Sequence, residues 1–392
     1  MSKKIGIITF YYKNDNYGAN LQAYALTKYL NVNGYVAEQI CFDNSSCQCT
    51  ESLKERIVRI LTKENIVNKI NKKAYEIIKN KIYASKKERF LKQRQERAKK
   101  TEHFANVMIP HSKEVYSAST IYKVNDIYDC FITGSDQVWN INMSKPAYFL
   151  DFVKGGKEKI SYAASMAVDS ISEEQKIQIK KWLQDYTAIS VREEKSIDIL
   201  AGLTGVIPEI VVDPTLLLTR EEWDKCAASQ LVNEDYMFCY FLGNNKKSRE
   251  LALDYAKKYN LKIVSIPMYN DGYHFYDEDF GDLSLNDVSP EEFISLIKYA
   301  KYVFTDSFHC CVFSLIYRKQ FFVFNRDEKK SMSSRIDSLM GLFECKKRYV
   351  NDISMQNLEY ITGLGTLEYK GTYKKVSNLI QKSKEYIEKS VK

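Results

Sequence analysis

Where the chain reads Asp306-Ser307-Phe308-His309, a short apolar run gives way to a second one, "FHCCVFSLIY". The spacing predicts a buried strand running into an apolar helix, with Ser307 as the N-cap and His309 in the first helical turn. The helix dipole disfavours added positive charge there, so a neutral imidazole available as a base is expected. The same helix start can hold a phosphate or carboxylate on its free N–H groups. Asp306 and His309 are therefore the catalytic candidates, and Ser307 is an anion-binding one. The plainer alternative is a histidine that caps or packs beneath a loop. Cys310 and Cys311 read as small core residues; a nucleophilic Cys310 activated by the helix end is the other reading.

Further candidates stand at other predicted strand ends. Arg192, in "ISVREEKS", can grip a carboxylate or phosphate with two N–H groups, or pair with Glu193 or Glu194 at the surface. "GSDQVWN" offers a glycine turn with Asp136 and Trp139, a polar and aromatic mixture suited to a sugar; a turn with Trp139 as a core plug is the alternative. "NDNYGAN" places Asn16 and Tyr17 before the first helix, where they could equally belong to a capped loop. Arg335, in "KKSMSSRIDSLM", sits at a predicted helix start and is a second cation for an anionic ligand.

The elements that position these residues alternate. The first 50 residues read as one βαβ unit, and after a basic insertion the rhythm of strand and helix resumes and continues to about residue 325. Pro208 and Pro214 interrupt an extended stretch that marks a boundary. The expected organisation is an N-terminal α/β domain over 1–206 with a basic helical insertion at 52–102. A C-terminal α/β domain follows over 207–364, then an amphipathic helix within 365–392. Alternation in both halves predicts two Rossmann-like parallel-sheet domains facing a cleft, with ligands beyond the carboxyl ends of the strands. Neither G-x-x-x-x-G-K-[ST] nor G-x-G-x-x-G occurs, so phosphate-loop and dinucleotide readings lack their signatures.

Composition bounds the partners. The net charge is +8, but residues 54–100 hold 17 Lys and Arg against 5 Glu, a surplus of +12 that leaves the remainder near −4. Aromatic residues are sparse in that segment, which argues against nucleic acid built on stacking. The basic segment is expected to be a solvated helical face or a peripheral contact with an anionic membrane surface. No run approaches a membrane span. The opening "MSKKIGIITFYY" reads as a first strand and not a signal peptide, so a cytoplasmic location is expected, with the inner membrane face as the place of any peripheral contact. Nine cysteines, among them the cluster Cys41, Cys47 and Cys49, fit free thiols in a reducing compartment. No metal site is expected.

Taken together, "NYGANLQAYAL", "FITGSDQVWN", "SYAAS", "ISVREEKS", "VVDPTLLL", "TDSFHCCVFSLIY" and "SRIDSLM" resemble, in order and spacing, the polysaccharide pyruvyl transferase family over about Ile5 to Leu342. The resemblance implies a fold like that of the GT-B glycosyltransferases. It also implies transfer of pyruvate from phosphoenolpyruvate to a sugar or lipid-linked oligosaccharide of a capsular or exopolysaccharide precursor, forming a ketal and releasing phosphate, with no cofactor. His309 matches the motif histidine and Arg192 the arginine of the "SVRE" segment. Asn16, Tyr17, Asp136 and Trp139 would face the acceptor. Two departures stand out. Better-understood branches of the family carry Arg-Leu-His where this chain has Ser307-Phe308-His309, so an arginine expected near the donor is absent unless Arg335 or Arg326 replaces it. Many "DSFH" relatives follow the histidine with Gly-Thr, where this chain has Cys310-Cys311. The alternatives are a nucleotide-sugar glycosyltransferase, with Asp327 or Glu328 as ribose contacts, and a non-catalytic glycan-binding relative. Oligomeric state is not legible.

Overall fold

The computed structural model describes residues 3–44, 89, 91–168, 170–268, 275–326, 334–369 and 372–392. The described strands form two large parallel sheets, as the alternation of patterns predicts, and one two-stranded sheet. The first joins β1 (Lys4–Ile8), β2 (Val36–Phe42), β3 (His111–Tyr116), β4 (Cys130–Thr133) and β5 (Glu158–Ser161) in the order β3-β2-β1-β4-β5. Helix α1 (Tyr17–Val32) connects β1 to β2, helix α2 (91–108) precedes β3, and α3 (Glu173–Leu183) follows β5. The edge is extended by β6 (Ser190–Val191), α4 (Glu194–Thr204) and β7 (Glu209–Ile210), with β6 and β7 paired in parallel. Strand pairing therefore runs past the boundary expected at 206, and the chain leaves this sheet only after β7. The extended run around Pro208 is a strand that the proline does not prevent, because Glu209 and Ile210 lie beyond it at the sheet edge.

The second sheet has the order β10-β9-β8-β11-β12-β13. It contains β8 (Tyr236–Tyr240), β9 (Lys262–Ser265), β10 (Leu283–Ser284), β11 (Tyr302–Thr305), β12 (Gln320–Phe324) and β13 (Tyr349–Val350). Helices α5 (Arg220–Asp224), α6 (Lys246–Tyr259), α7 (Pro290–Tyr299), α8 (Phe308–Ile316), α9 (Ser334–Leu342) and α10 (Leu358–Gly363) accompany it. Its central strands are buried on both faces, which is why they read as continuous apolar runs and not as alternating ones.

An aromatic seam joins the two halves. Tyr17 at the start of α1 stacks on Phe293 of α7 with ring centroids 4.7 Å apart, and its hydroxyl donates to the Val288 carbonyl at 2.9 Å. Tyr24 meets Trp223, which in turn meets Phe313 of α8 at 4.8 Å. Helix α1 is consequently buried nearly all round and not on one face. The side-chain amides of its buried polar residues donate to the loop and strand before it: Asn20 to the Asn14 carbonyl at 2.8 Å and Gln22 to Thr9 Oγ1 at 3.0 Å.

The last helix, α11 (Thr372–Ser390), returns to the first half. Tyr386 donates to the Ser161 carbonyl at 2.9 Å, Tyr29 donates to Glu388 at 2.6 Å, and Ser383 Oγ accepts from the Val212 amide at 3.0 Å. Of the basic insertion only 89 and 91–102 are described; there Arg94 pairs with Asp15 at 3.3 Å and Lys100 with Glu292 of α7 at 3.1 Å. Residues 52–88 and 90, with Cys47, Cys49, Asp327 and Glu328, lie outside the described residues. No helix of the described residues is long and apolar enough to cross a membrane.

Ile387 of α11 is fully buried, so Ile387→Ala is expected to cost about 2–5 kcal/mol, read as a lower urea midpoint.

Candidate functional site

The sheet ends converge on one buried cluster of charge. At the end of β6, Arg192 enters the seam 7% exposed, and its Nη1 donates to Asp213 Oδ2 at 2.5 Å. Asp213 follows β7 directly. Its Oδ1 accepts from the Thr215 amide at 3.1 Å and from Thr215 Oγ1 at 2.7 Å, while its Oδ2 also accepts from Ser135 Oγ at 3.2 Å. His309 comes from the other half, in the first turn of α8, and brings Nε2 to 3.5 Å from the same Oδ2. Burial disfavours the Asp213 charge, but His309 and Arg192 more than offset it and hold its carboxyl well below the usual carboxylate range.

Arg335 adds a second guanidinium from α9. Its Nη1 is 3.9 Å from Asp136 Oδ1, and Arg192 Nη2 is 3.8 Å from the same oxygen. Asp136 reaches between them from a left-handed conformation, φ 77°, in the turn after β4. With its amide oxygen turned inward, Gln137 accepts from both Nη atoms of Arg335 at 2.8 and 3.0 Å. The Phe308 ring lies under both cations, 4.2 Å from the Arg192 guanidinium carbon and 6.0 Å from that of Arg335. Burial and the neighbouring Arg192 push Arg335 down to about 10. Arg192 moves upward: burial opposes its charge, but Asp213 and Asp136 outweigh that.

Arg192, Asp213, Phe308 and Arg335 line a cavity of about 520 Å³, together with Lys195 and Lys346. Arg192 Nε and Nη2 and His309 Nε2 are buried and meet no hydrogen-bond partner among the described residues. Donors withheld from water without acceptors are costly. An anionic ligand in the cavity would satisfy the Arg192 donors.

Of the nine residues singled out in the sequence, His309, Arg192, Arg335 and Asp136 come together here. Asp136 lies between the arginines and not on an acceptor surface. The others have different surroundings. Asp306 is a backbone clamp, its two oxygens accepting from the Leu242 and Gly243 amides at 2.6 and 2.8 Å, so its carboxylate is committed to holding the loop after β8. Ser307 caps α8, accepting from the Cys310 amide at 3.5 Å. Asn16 caps α1 through the Ala19 amide at 3.2 Å.

The expectation that Tyr17 and Trp139 face an acceptor is corrected. Tyr17 is sealed in the aromatic seam. Trp139 is fully buried, stacks on Phe149 at 5.8 Å and donates to the Tyr148 carbonyl, because a large ring gains most by filling the core. Glu193 is no surface partner of Arg192 either; it accepts from Ser165, Met166, Ala167 and Ser196. Cys310 is fully buried, with its thiol pushed up to about 12 by burial, which removes it as a nucleophile.

Sequence reasoning missed Asp213 and did not foresee the contacts of Phe308, Gln137 and Gly18 in this cluster. Asp213 stood in the quoted "VVDPT" but carried no local sign of its role. Gly18 is required by contact: a Cβ there would lie 2.0 Å from His309 Nδ1.

The family profile described as Polysaccharide pyruvyl transferase matches residues 16–328. The chain belongs to the polysaccharide pyruvyl transferase family. That span contains Arg192, Asp213 and His309, whereas Arg335 lies just beyond it. Among solved structures, this family member is similar to the UDP-GlcNAc 2-epimerase from Neisseria meningitidis, bound to UDP-GlcNAc, at 10% identity over 100% of this chain and 99% of that one, with a TM-score of 0.51. The UDP-GlcNAc 2-epimerase from Methanocaldococcus jannaschii is similar at 11% identity over 93% and 91%, also with a TM-score of 0.51. Such likeness fixes the fold alone, GT-B-like as expected. A comparison with curated protein sequences gives no match.

Two outcomes test the geometry. An arginine held down at about 10 costs stability wherever the unfolded chain is protonated, hence at all pH below about 10, and the cost fades as pH rises toward the ordinary value. Arg335→Met is therefore expected to stabilise the ligand-free protein by about 2 kcal/mol at pH 7, measured by chemical denaturation. Gly18→Ala forces the α1 backbone or the imidazole to move and is expected to cost about 1–3 kcal/mol in the same measurement.

Proposed function

We propose that this transferase moves pyruvate from phosphoenolpyruvate onto two hydroxyls of one sugar in a surface-polysaccharide precursor, forming a cyclic ketal and releasing phosphate. The observation that carries the reading is the pair of buried guanidiniums, Arg192 and Arg335, beside His309, with Arg192 N–H groups left without acceptors at the cavity. Phosphoenolpyruvate bears two anionic ends, a phosphate and a carboxylate, and two planar forks suit them. Arg335 serves in place of the arginine absent at Ser307, and the Phe308 ring keeps the two cations at a fixed spacing.

The chemistry needs protons moved both ways. One goes to the methylene carbon of the donor, which creates an oxocarbenium centre at C2, and the first sugar hydroxyl adds there as it loses its own proton. The second hydroxyl then displaces phosphate, its proton leaving with the products. His309 is the group placed to carry these protons, and the arginines stabilise the charge that collects on the departing phosphate. No metal or cofactor is called for. The acceptor is read as a sugar or lipid-linked oligosaccharide met at the inner face of the membrane, with the basic segment 54–100 as the peripheral contact.

With purified protein and phosphoenolpyruvate, phosphate release is expected only when an acceptor such as a β-galactoside is added, and Arg192→Ala and His309→Ala are each expected to lower it by about 10²-fold or more. Absence of acceptor-dependent release across a sugar panel, or unchanged release in both variants, overturns the assignment. Binding of a nucleotide sugar but not phosphoenolpyruvate would point to a glycosyltransferase, and binding of glycans alone to a non-catalytic relative.

A further inference from the structure

His309 is held on two sides. Its Nδ1 lies against Gly18 in the first turn of α1, where a Cβ would stand only 2.0 Å from it. Its Nε2 is turned to Asp213 Oδ2 at 3.5 Å and meets no closer partner among the described residues. Asp213 cannot swing away: Thr215 holds Oδ1 through both its amide and its hydroxyl, and Arg192 and Ser135 hold Oδ2.

An imidazole that faces a fixed carboxylate keeps its proton on the nitrogen nearest that carboxylate, and the other nitrogen carries the lone pair. The separation is at the long end of hydrogen bonding, as is common before a substrate closes the site.

We propose that Asp213 is a positioning residue that holds His309 as the Nε2–H tautomer, so that Nδ1 is the nitrogen that takes and returns protons. The inference rests on reading His309 as the proton-moving group. It adds a coupling: Oδ2 serves Arg192 and His309 at once, so an anion that draws the Arg192 fork toward the cavity leaves more of that oxygen to the imidazole. Donor binding thereby tightens the orientation of the base. The coupling uses only a rotation of side chains about a carboxylate that stays in place.

The test is long-range ¹H–¹⁵N correlation on the full-length, ¹⁵N-labelled protein. The chain has four histidines, and His309→Gln identifies the signal. In the wild type, Nε2 is expected to be protonated and Nδ1 bare. In Asp213→Asn that preference is expected to be lost, while phosphate release from phosphoenolpyruvate with acceptor falls roughly 10²–10⁴-fold in kcat and the acceptor KM stays nearly constant. Asp213→Glu is expected to recover part of the tautomer preference. A wild-type His309 protonated on Nδ1, or an Asp213→Asn protein whose His309 tautomer is unchanged, overturns the proposal. The wild-type spectrum decides even where a variant does not fold. Should no pyruvyl transfer be found, the spectrum still reads the tautomer, so the two failures are separable.

Discussion

Two guanidiniums border one cavity with an imidazole buried beside them, and burying each cation costs several kcal/mol unless it is paired. The structure meets that cost with two carboxylates placed between the cations and not around them. Asp213 joins Arg192 to His309, and Asp136 stands between Arg192 and Arg335. The compensation is incomplete, because Arg335 is still pushed down by burial and by Arg192. Arg192 also keeps buried N–H groups without acceptors among the described residues, which favours an anionic donor.

That balance depends on the two halves being closed on each other. His309 belongs to one half and touches Gly18 of the other, while Asp213 lies on the segment that crosses between them. The Tyr17–Phe293 stack, the Tyr24–Trp223–Phe313 chain and the Lys100–Glu292 pair hold this closure from the seam. Helix α11 holds it from behind, since Ser383 takes the Val212 amide one residue before Asp213. Residues far from the cavity in sequence thus fix the position of its central carboxylate.

Phe308 connects the two cations across the seam. An aromatic ring between Ser307 and His309 offers a face on which Arg192 rests, and Arg335 reaches the same ring from α9.

Much of this could be read in the chain. Apolar runs separated by capped helices predicted parallel sheets, and the rule that ligands collect beyond strand ends placed Arg192 and His309 together. Ser307 was legible as a cap because capping is a relation across three residues. What a side chain meets once the chain folds back on it was not legible. "GSDQVWN" looks alike whether Trp139 faces a sugar or fills a core, and Asp306 looks alike whether it titrates or clamps two amides. Sequence by itself determined which residues stand at strand ends, since period and capping are local properties. Only tertiary structure decided that Asp213 is the carboxylate they share, because a buried charge acquires its role from the partners that packing brings to it.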